Sequence, residues 1–228
     1  MELTVLGKYG PYPAACGGTS SYLLNVGETN IALDFGSGAC GRYRKFCARL
    51  DAIVLSHLHF DHVCDLLPLV YEAELDNRIV PLYMPFDGCE ICELLKSRKV
   101  FDVRQIRDGT SIRLGEAELT FTRLIHPAES YGIRVNANGK SFFYSGDTSY
   151  TEKAEEAAKG CAVALLDAAQ PEDIPDDFPH MSVKHASMIA DKIGARVIVT
   201  HVNPLINTES QAKKLGLETA EEFKTYRI

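Results

Sequence analysis

Four side chains able to ligate a metal fall within six residues, His57, His59, Asp61 and His62, directly after the apolar run Ile53-Val-Leu. Imidazoles and carboxylates packed this closely repel one another or compete for water unless a cation organises them. Imidazole nitrogen with carboxylate oxygen is the donor set accepted by Zn²⁺ and its first-row neighbours. The apolar run reads as a buried strand, which puts the ligands on the loop leaving its C-terminal end. His57 and His59, two apart, can point the same way in an extended loop, whereas the adjacent Asp61 and His62 must diverge. That geometry suits two metals better than one.

Further strands end in the same kind of residue. The run 119–125 leads straight into His126-Pro127. A second strand, 131–135, is joined by the hairpin chemistry of Asn136-Ala-Asn-Gly-Lys140 to a third, 141–145, which runs into Gly146-Asp147. In an up-down-up meander the first and third strands end at one edge, so topology brings His126 and Asp147 together. Arg196-Val-Ile-Val-Thr200 is a strand that runs into His201. Asp34, at the end of strand 31–34, either orients the metal loop by hydrogen bonds or serves as a turn or helix N-cap aspartate; spacing alone leaves both open. The Gly/Pro-rich stretch 9–18 is longer than a hairpin requires and is either a loop that approaches a ligand or an ordinary connector.

The remaining elements follow from pattern. Residues 2–7 and 19–26 alternate as strands, 63–76 carries helical spacing with Pro68 in its early turns, and 88–97 and 151–159 read as helices, the latter closed by Gly160. The segment 79–84 reads as an edge strand because of Pro81. Strand 162–166 ends at Asp167, and a Pro- and Asp-rich loop, 171–179, leads to His180. Ser182 can cap a helix continuing to Lys192, with His185 expected at its surface, and the tail 208–225 reads as an amphipathic helix. From Lys96 to Arg113 six basic residues face two acidic ones, a solvated face or, alternatively, a hold on a phosphate-bearing substrate.

Composition bounds the rest. The 228 residues are 46% hydrophobic and 24% charged, ordinary for a chain that buries a real core. A net charge of −7 argues against a dedicated nucleic-acid binder. No apolar run approaches a membrane span, and the start of the chain lacks the basic and apolar regions of a secretory leader, so no membrane partner is expected. Seven cysteines, an odd number without framework spacing, fit reduced thiols and hence the cytoplasm. Cys89 and Cys92 form a lone C-x-x-C, read as half-buried thiols, and Cys64 follows close behind the ligand loop. The oligomeric state stays open, a homodimer included.

The spacing His57-x-His59-x-Asp61-His62 resembles the signature of the metallo-β-lactamase-fold hydrolases. With His126, Ser145-Gly-Asp147-Thr148, His180-Met-Ser182 and His201, the resemblance covers nearly the whole chain and is closest to the ribonuclease Z-like branch. It implies an α/β fold of the αββα four-layer sandwich type, two mixed sheets flanked by helices, in a single domain spanning 1–228. It further implies that His57, His59 and His126 hold one metal, that Asp61, His62 and His201 hold the second, and that Asp147 bridges both. A histidine matching His180 is implicated in catalysis. Ribonuclease Z carries a long tRNA-gripping insertion between the ligands matching His126 and Asp147. Here twenty residues intervene, so tRNA is not the expected partner. Di-iron members commonly place a carboxylate where His59 stands, so the histidine favours hydrolysis.

Two divalent metals about 3.5–4 Å apart can share a hydroxide and clamp the charge that develops during attack. Zn²⁺ is the default, with Mn²⁺, Fe²⁺ and Ni²⁺ as alternatives on the same ligands. Set against Asp61, Asp147 and the hydroxide, the pair leaves about one positive charge, which favours an anionic substrate. Asp61 can accept a proton while bound, and His180 can protonate the leaving oxygen. The expectation is therefore a phosphodiesterase acting on a small or nucleotide phosphodiester. A carbonyl hydrolase (lactonase, thioesterase or lactamase) and a metal-binding protein without turnover are the alternatives.

Overall fold

The structure, a computed structural model, describes residues 1–168, 170–171, 174–175 and 178–228; the loop expected over 171–179 lies partly outside them. The chain first lays down β1 (Glu2–Gly7), β2 (Ser21–Val26), β3 (Thr29–Phe35), β4 (Ala52–Val54), β5 (Val80–Met84) and β6 (Phe101–Gln105). There follow β7 (Ser111–Leu114), β8 (Ala117–Arg123), β9 (Tyr131–Ala137), β10 (Lys140–Tyr144), β11 (Val163–Asp167), β12 (Arg196–Thr200), β13 (Glu218–Thr219) and β14 (Thr225–Arg227). They form two seven-stranded sheets, ordered β14-β1-β2-β3-β4-β5-β6 and β13-β12-β11-β10-β9-β8-β7. Both are mixed. β1, β2 and β3 run antiparallel and β3, β4, β5 and β6 parallel. In the second sheet β7 to β10 form the expected antiparallel meander, and β10, β11, β12 and β13 run parallel.

Successive side chains of a strand point to opposite faces, and here both faces are apolar. Leu3, Tyr22, Leu24, Ile31, Leu33, Phe121, Ile133, Val135, Phe142, Leu165 and Ile198 meet between the sheets. The alternate residues Leu23, Ala32, Phe35 and Ile53 pack outward under α3 (Leu66–Leu75) and its neighbours α1 (Ala39–Arg42), α2 (Phe60–Val63) and α4 (Glu90–Lys96). On the other side Phe143, Ala164, Leu166 and Val199 pack under α5 (Glu152–Ala158) and α6 (Val183–Ile193), with α7 (Thr208–Lys214) alongside. The result is helix, sheet, sheet, helix, as expected. No helix among the described residues is long and apolar enough to cross a membrane.

Three expectations are corrected. β5 is interior, hydrogen-bonded to β4 and β6. Val80 N–H bonds to Val100 on the β6 side, so by alternation the Pro81 nitrogen faces β4. It does so at the start of that ladder, before the Ile53–Leu82 pair, where a missing donor costs little. The tail is helical only over Thr208–Lys214; beyond the left-handed Gly216 it supplies β13 to one sheet and β14 to the other. Edge strands left with unpaired backbone groups accept these short segments, and Tyr226 and Ile228 seal the space between the sheets. His185 is buried, not superficial. Its Nδ1 accepts from Ser182 N–H while Ser182 Oγ accepts from His185 N–H, and its ring stacks on Tyr150. The basic run 96–113 is largely exposed, with Lys96 paired to Glu93 and Arg104 to Asp102.

Candidate metal centre

Every candidate ligand sits just past the C-terminal end of a strand or opens the helix that follows. β4 is extended through Leu55, whose N–H bonds to Tyr83 O, and delivers His57. His59 is the extended N-terminal residue of α2, so Asp61 and His62 fall in that helix's first turn. β8 leads to His126 and β10 to Asp147. The turn between Tyr144 and Asp147 requires Gly146: its φ is +58°, and an added Cβ would lie 2.7 Å from Ser56 Cβ. His201 leaves β12 in a left-handed conformation (φ 54°), which a non-glycine residue adopts only at some cost.

These strand ends converge. Donor atoms of His57, His59, His126 and Asp147 lie within 4.8 Å of one another, and so do those of Asp61, His62, Asp147 and His201. Asp147 belongs to both groups. Its Oδ1 is 3.3 Å from His62 Nε2, and its Oδ2 is 3.7 Å from His57 Nε2 and 3.1 Å from His201 Nε2. His59 Nδ1 lies 3.1 Å from both His57 Nε2 and His126 Nε2. His201 Nε2 is 3.0 Å from Asp61 Oδ2.

The hydrogen bonds behind the rings assign their tautomers. His126 Nδ1–H donates to Pro179 O at 2.9 Å and His62 Nδ1–H to Asp34 Oδ2 at 2.7 Å. Ser56 Oγ donates to Asp34 Oδ2, so it accepts from His57 Nδ1–H at 3.0 Å. All three rings therefore turn an Nε2 lone pair toward the cluster, as metal-ligating histidines do. Asp34, open between two roles in the sequence, is the orienting carboxylate. It is fully buried and also accepts from Ser56 N–H and Tyr144 O–H.

This set fits divalent cations on its own chemistry. His62 Nε2 and Asp147 Oδ1 are buried without a hydrogen-bond partner, a costly arrangement unless a cation takes the lone pairs. Burial, with repulsion from His62, holds His57 well below the usual imidazole range, and burial also lowers His59 and His126. These three are neutral and available as donors. Burial would lower His62 and His201 too, but Asp147 and Asp61 outweigh it and raise both. The carboxylates of the second group thus demand positive charge that a metal would provide. The cysteines do not join in: all seven are free, and none is among the clustered donors.

A third group adjoins the first two, formed by Asp147, Asp167, His180 and His201. His180 Nδ1 lies 3.0 Å from Asp167 Oδ2, and its ring stacks on His201 with centroids 5.1 Å apart. Asp167, to which sequence reasoning gave no role, is thus a further candidate site residue; it ends β11 as Asp147 follows β10. Gly10 was missed as well. A Cβ there would sit 2.0 Å from His201 Nε2, so the 9–18 loop is packed against a candidate ligand and is more than a connector.

The profile of the Beta-lactamase superfamily domain matches residues 31–202, which span β3 to just beyond His201. The chain belongs to the beta-lactamase superfamily. Among curated superfamily relatives it is 31% identical to the uncharacterized protein Rv1339 of Mycobacterium tuberculosis, over 93% of this chain and 86% of that one. It is 27% identical to the probable metallo-hydrolase YhfI of Bacillus subtilis, over 89% and 87%. Ribonuclease Z of Mycobacterium bovis is 24% identical, over 97% and 92%. The crystal structure of YhfI superposes with a TM-score of 0.92 at 24% identity, covering 99% of each chain. A diphosphatase from the PhnP family superposes at 0.79 with 22% identity, over 100% of this chain and 97% of that one. The αββα sandwich and the resemblance to the ribonuclease Z-like metallo-β-lactamase-fold hydrolases are borne out. The chain is accordingly a metallo-β-lactamase-fold, metal-dependent hydrolase.

Proposed function

We propose that this hydrolase is a phosphodiesterase acting on a small or nucleotide phosphodiester. In this reading His57, His59 and His126 hold one divalent cation, Asp61, His62 and His201 hold another, and Asp147 serves both. Zn²⁺ is the metal this donor set favours, and Mn²⁺, Fe²⁺ and Ni²⁺ suit it as well. When bound, such a pair supplies an activated water and neutralises charge on the oxygens of the group under attack.

The choice of phosphorus over carbon rests on His180. Burial would lower its imidazole, but the Asp167 carboxylate lifts it to about 9, which favours the protonated form. With Nδ1 engaged by Asp167, its Nε2 is left to donate to a leaving oxygen. Asp61, 3.0 Å from His201, can take up a proton from the attacking water. Two dications against Asp61 and Asp147, beside a His180–Asp167 pair that is neutral as a unit, leave surplus positive charge. That suits a diester whose single negative charge grows to two in the transition state. A lactone or thioester starts neutral and gains only one. The relatives named ribonuclease Z and PhnP-family diphosphatase support the phosphoryl reading. The interval between His126 and Asp147 is filled by the β9–β10 hairpin, which supports a substrate smaller than tRNA. The free cysteines agree with a reducing, cytoplasmic setting.

The test is a turnover panel on metal-quantified protein: bis(p-nitrophenyl) phosphate, cyclic nucleotides, an acyl-homoserine lactone and a cephalosporin. Turnover of a diester is expected. Turnover of the lactone or cephalosporin alone would overturn the reading, and none at full metal loading would point to a binding protein.

A further inference from the structure

A cavity of about 270 Å³ opens directly beside the first ligand group, lined by Leu58, His59, Phe60, Cys89, Glu90 and Ile91. It adjoins the candidate site, because His59 is both its wall and a member of the donor cluster. A larger cavity, about 360 Å³, lies past His201 between Tyr9 and Asn207, but no clustered donor lines it.

We infer that the cavity at His59 is the seat of an uncharged aromatic ring carried by the substrate, a nucleobase, so that the substrate is a nucleotide ester. This rests on the phosphodiesterase reading and narrows it. Three observations carry it. The walls contributed by Leu58, Phe60, Cys89 and Ile91 are apolar, so the occupant is an apolar or planar group. Among the described residues, the one charged side chain on the lining outside the ligand cluster is the carboxylate of Glu90, which repels phosphate and leaves the anionic part of the substrate to the histidine cluster. Phe60 is 74% exposed although it stands between two candidate ligands, where an apolar ring in water gains nothing from the fold. A flat aromatic face beside a cation site offers a stacking surface for any base. The C-x-x-C motif also finds a place here: Cys89 lines the cavity as a thiol, while Cys92 turns into the core.

The experiment compares binding of adenosine 5′-monophosphate and ribose 5-phosphate to the Zn²⁺-loaded full chain by isothermal titration. The two share the phosphate and differ in the base. The monophosphate is expected to bind about tenfold tighter, and Phe60→Ala is expected to abolish most of that preference while ribose 5-phosphate binding stays unchanged. Ile91→Ala, away from the ligand loop, is the second variant and should weaken the preference severalfold, with metal content measured for both. Equal affinity of the two probes for the unmodified protein, or a preference retained in both variants, would overturn the inference. A base preference in a protein that hydrolyses no diester would leave the inference standing and remove the proposed reaction, so the two failures are separable.

Discussion

Asp34 accepts the Nδ1 proton of His62 at 2.7 Å, from a backbone conformation (φ 55°) that few residues other than glycine, asparagine and aspartate tolerate. The same carboxylate receives Ser56 N–H, Ser56 Oγ–H and Tyr144 O–H. It therefore orients rings in both ligand groups, His62 directly and His57 through Ser56. Asp34→Asn keeps the backbone conformation but places an amide where only acceptors fit. Metal affinity should fall about 10–100-fold with the fold intact. Chelator competition with circular dichroism checks this; unchanged affinity would reduce Asp34 to a packing residue.

Gly10 packs against Nε2, the candidate donor atom of His201. The 2.0 Å separation between an added Cβ and Nε2 means that alanine must displace the ring from Asp61 and Asp147. Gly10→Ala should cost at least tenfold in kcat and loosen one metal equivalent of two. Gly41→Ala, where an added methyl meets nothing within 4 Å, is the matched control. Equal metal retention and kcat in the two variants would contradict the packing argument.

Among the described residues Asp147 is the one carboxylate common to both candidate ligand groups. Asp147→Ala should leave secondary structure in place and abolish turnover, with the two metal affinities no longer coupled. Buried histidines His57, His62 and His201 lose a counter-charge at the same time, so the variant should also release metal in dilute chelator. Full occupancy with undiminished kcat would remove the bridging role.

The candidate ligands were legible because an apolar strand leads into the 57–62 cluster and into each of His126, Asp147 and His201, and a lone histidine or aspartate stands out against such a run. Where they failed to stand out, the cause was tertiary. Gly10 looks like any loop glycine until His201 is packed against it. Asp167 resembles an ordinary strand terminus until His180 arrives from another segment. His185 carries a helical spacing that says surface, whereas its partner Ser182 and the Tyr150 ring hold it inside. β13 and β14 are two and three residues long, too short for any period. They exist because β12 and β1 present open edges.

Away from the site, Glu72 links α3 to the segment before β4. Burial would raise its carboxyl, but bonds from Tyr43, Arg44 and Arg78 outweigh burial and hold it below the ordinary glutamate value. A carboxylate lowered by folding stabilises the protein above its unfolded value of about 4.3, and that contribution is lost as pH falls through the lower folded value. Glu72→Gln should therefore cost about 1 kcal/mol near neutrality, and the gap from the unmodified protein should close below about pH 4. Urea melts at several pH values measure it; a gap constant with pH would assign the effect to packing.

His180 supplies the last prediction, and its sign is opposite. Burial would lower the imidazole, yet Asp167 raises it to about 9, so the acid form is present through neutrality and is lost as pH rises through that value. If this ring protonates the leaving oxygen, kcat should be flat toward neutral pH and fall above about 9. His180→Ala should lower kcat by about 10²–10⁴ with both metals retained. Asp167→Asn should instead bring the basic limb down toward the ordinary histidine value, because the carboxylate that favours the imidazolium is gone. A merely structural Asp167 would change stability without moving the limb. The contrast is sharpest with two substrates: an ester with a p-nitrophenolate leaving group needs little protonation, so its rate should suffer far less from His180→Ala than that of an alkyl ester. Equal losses on the two would show that the ring binds substrate without donating a proton.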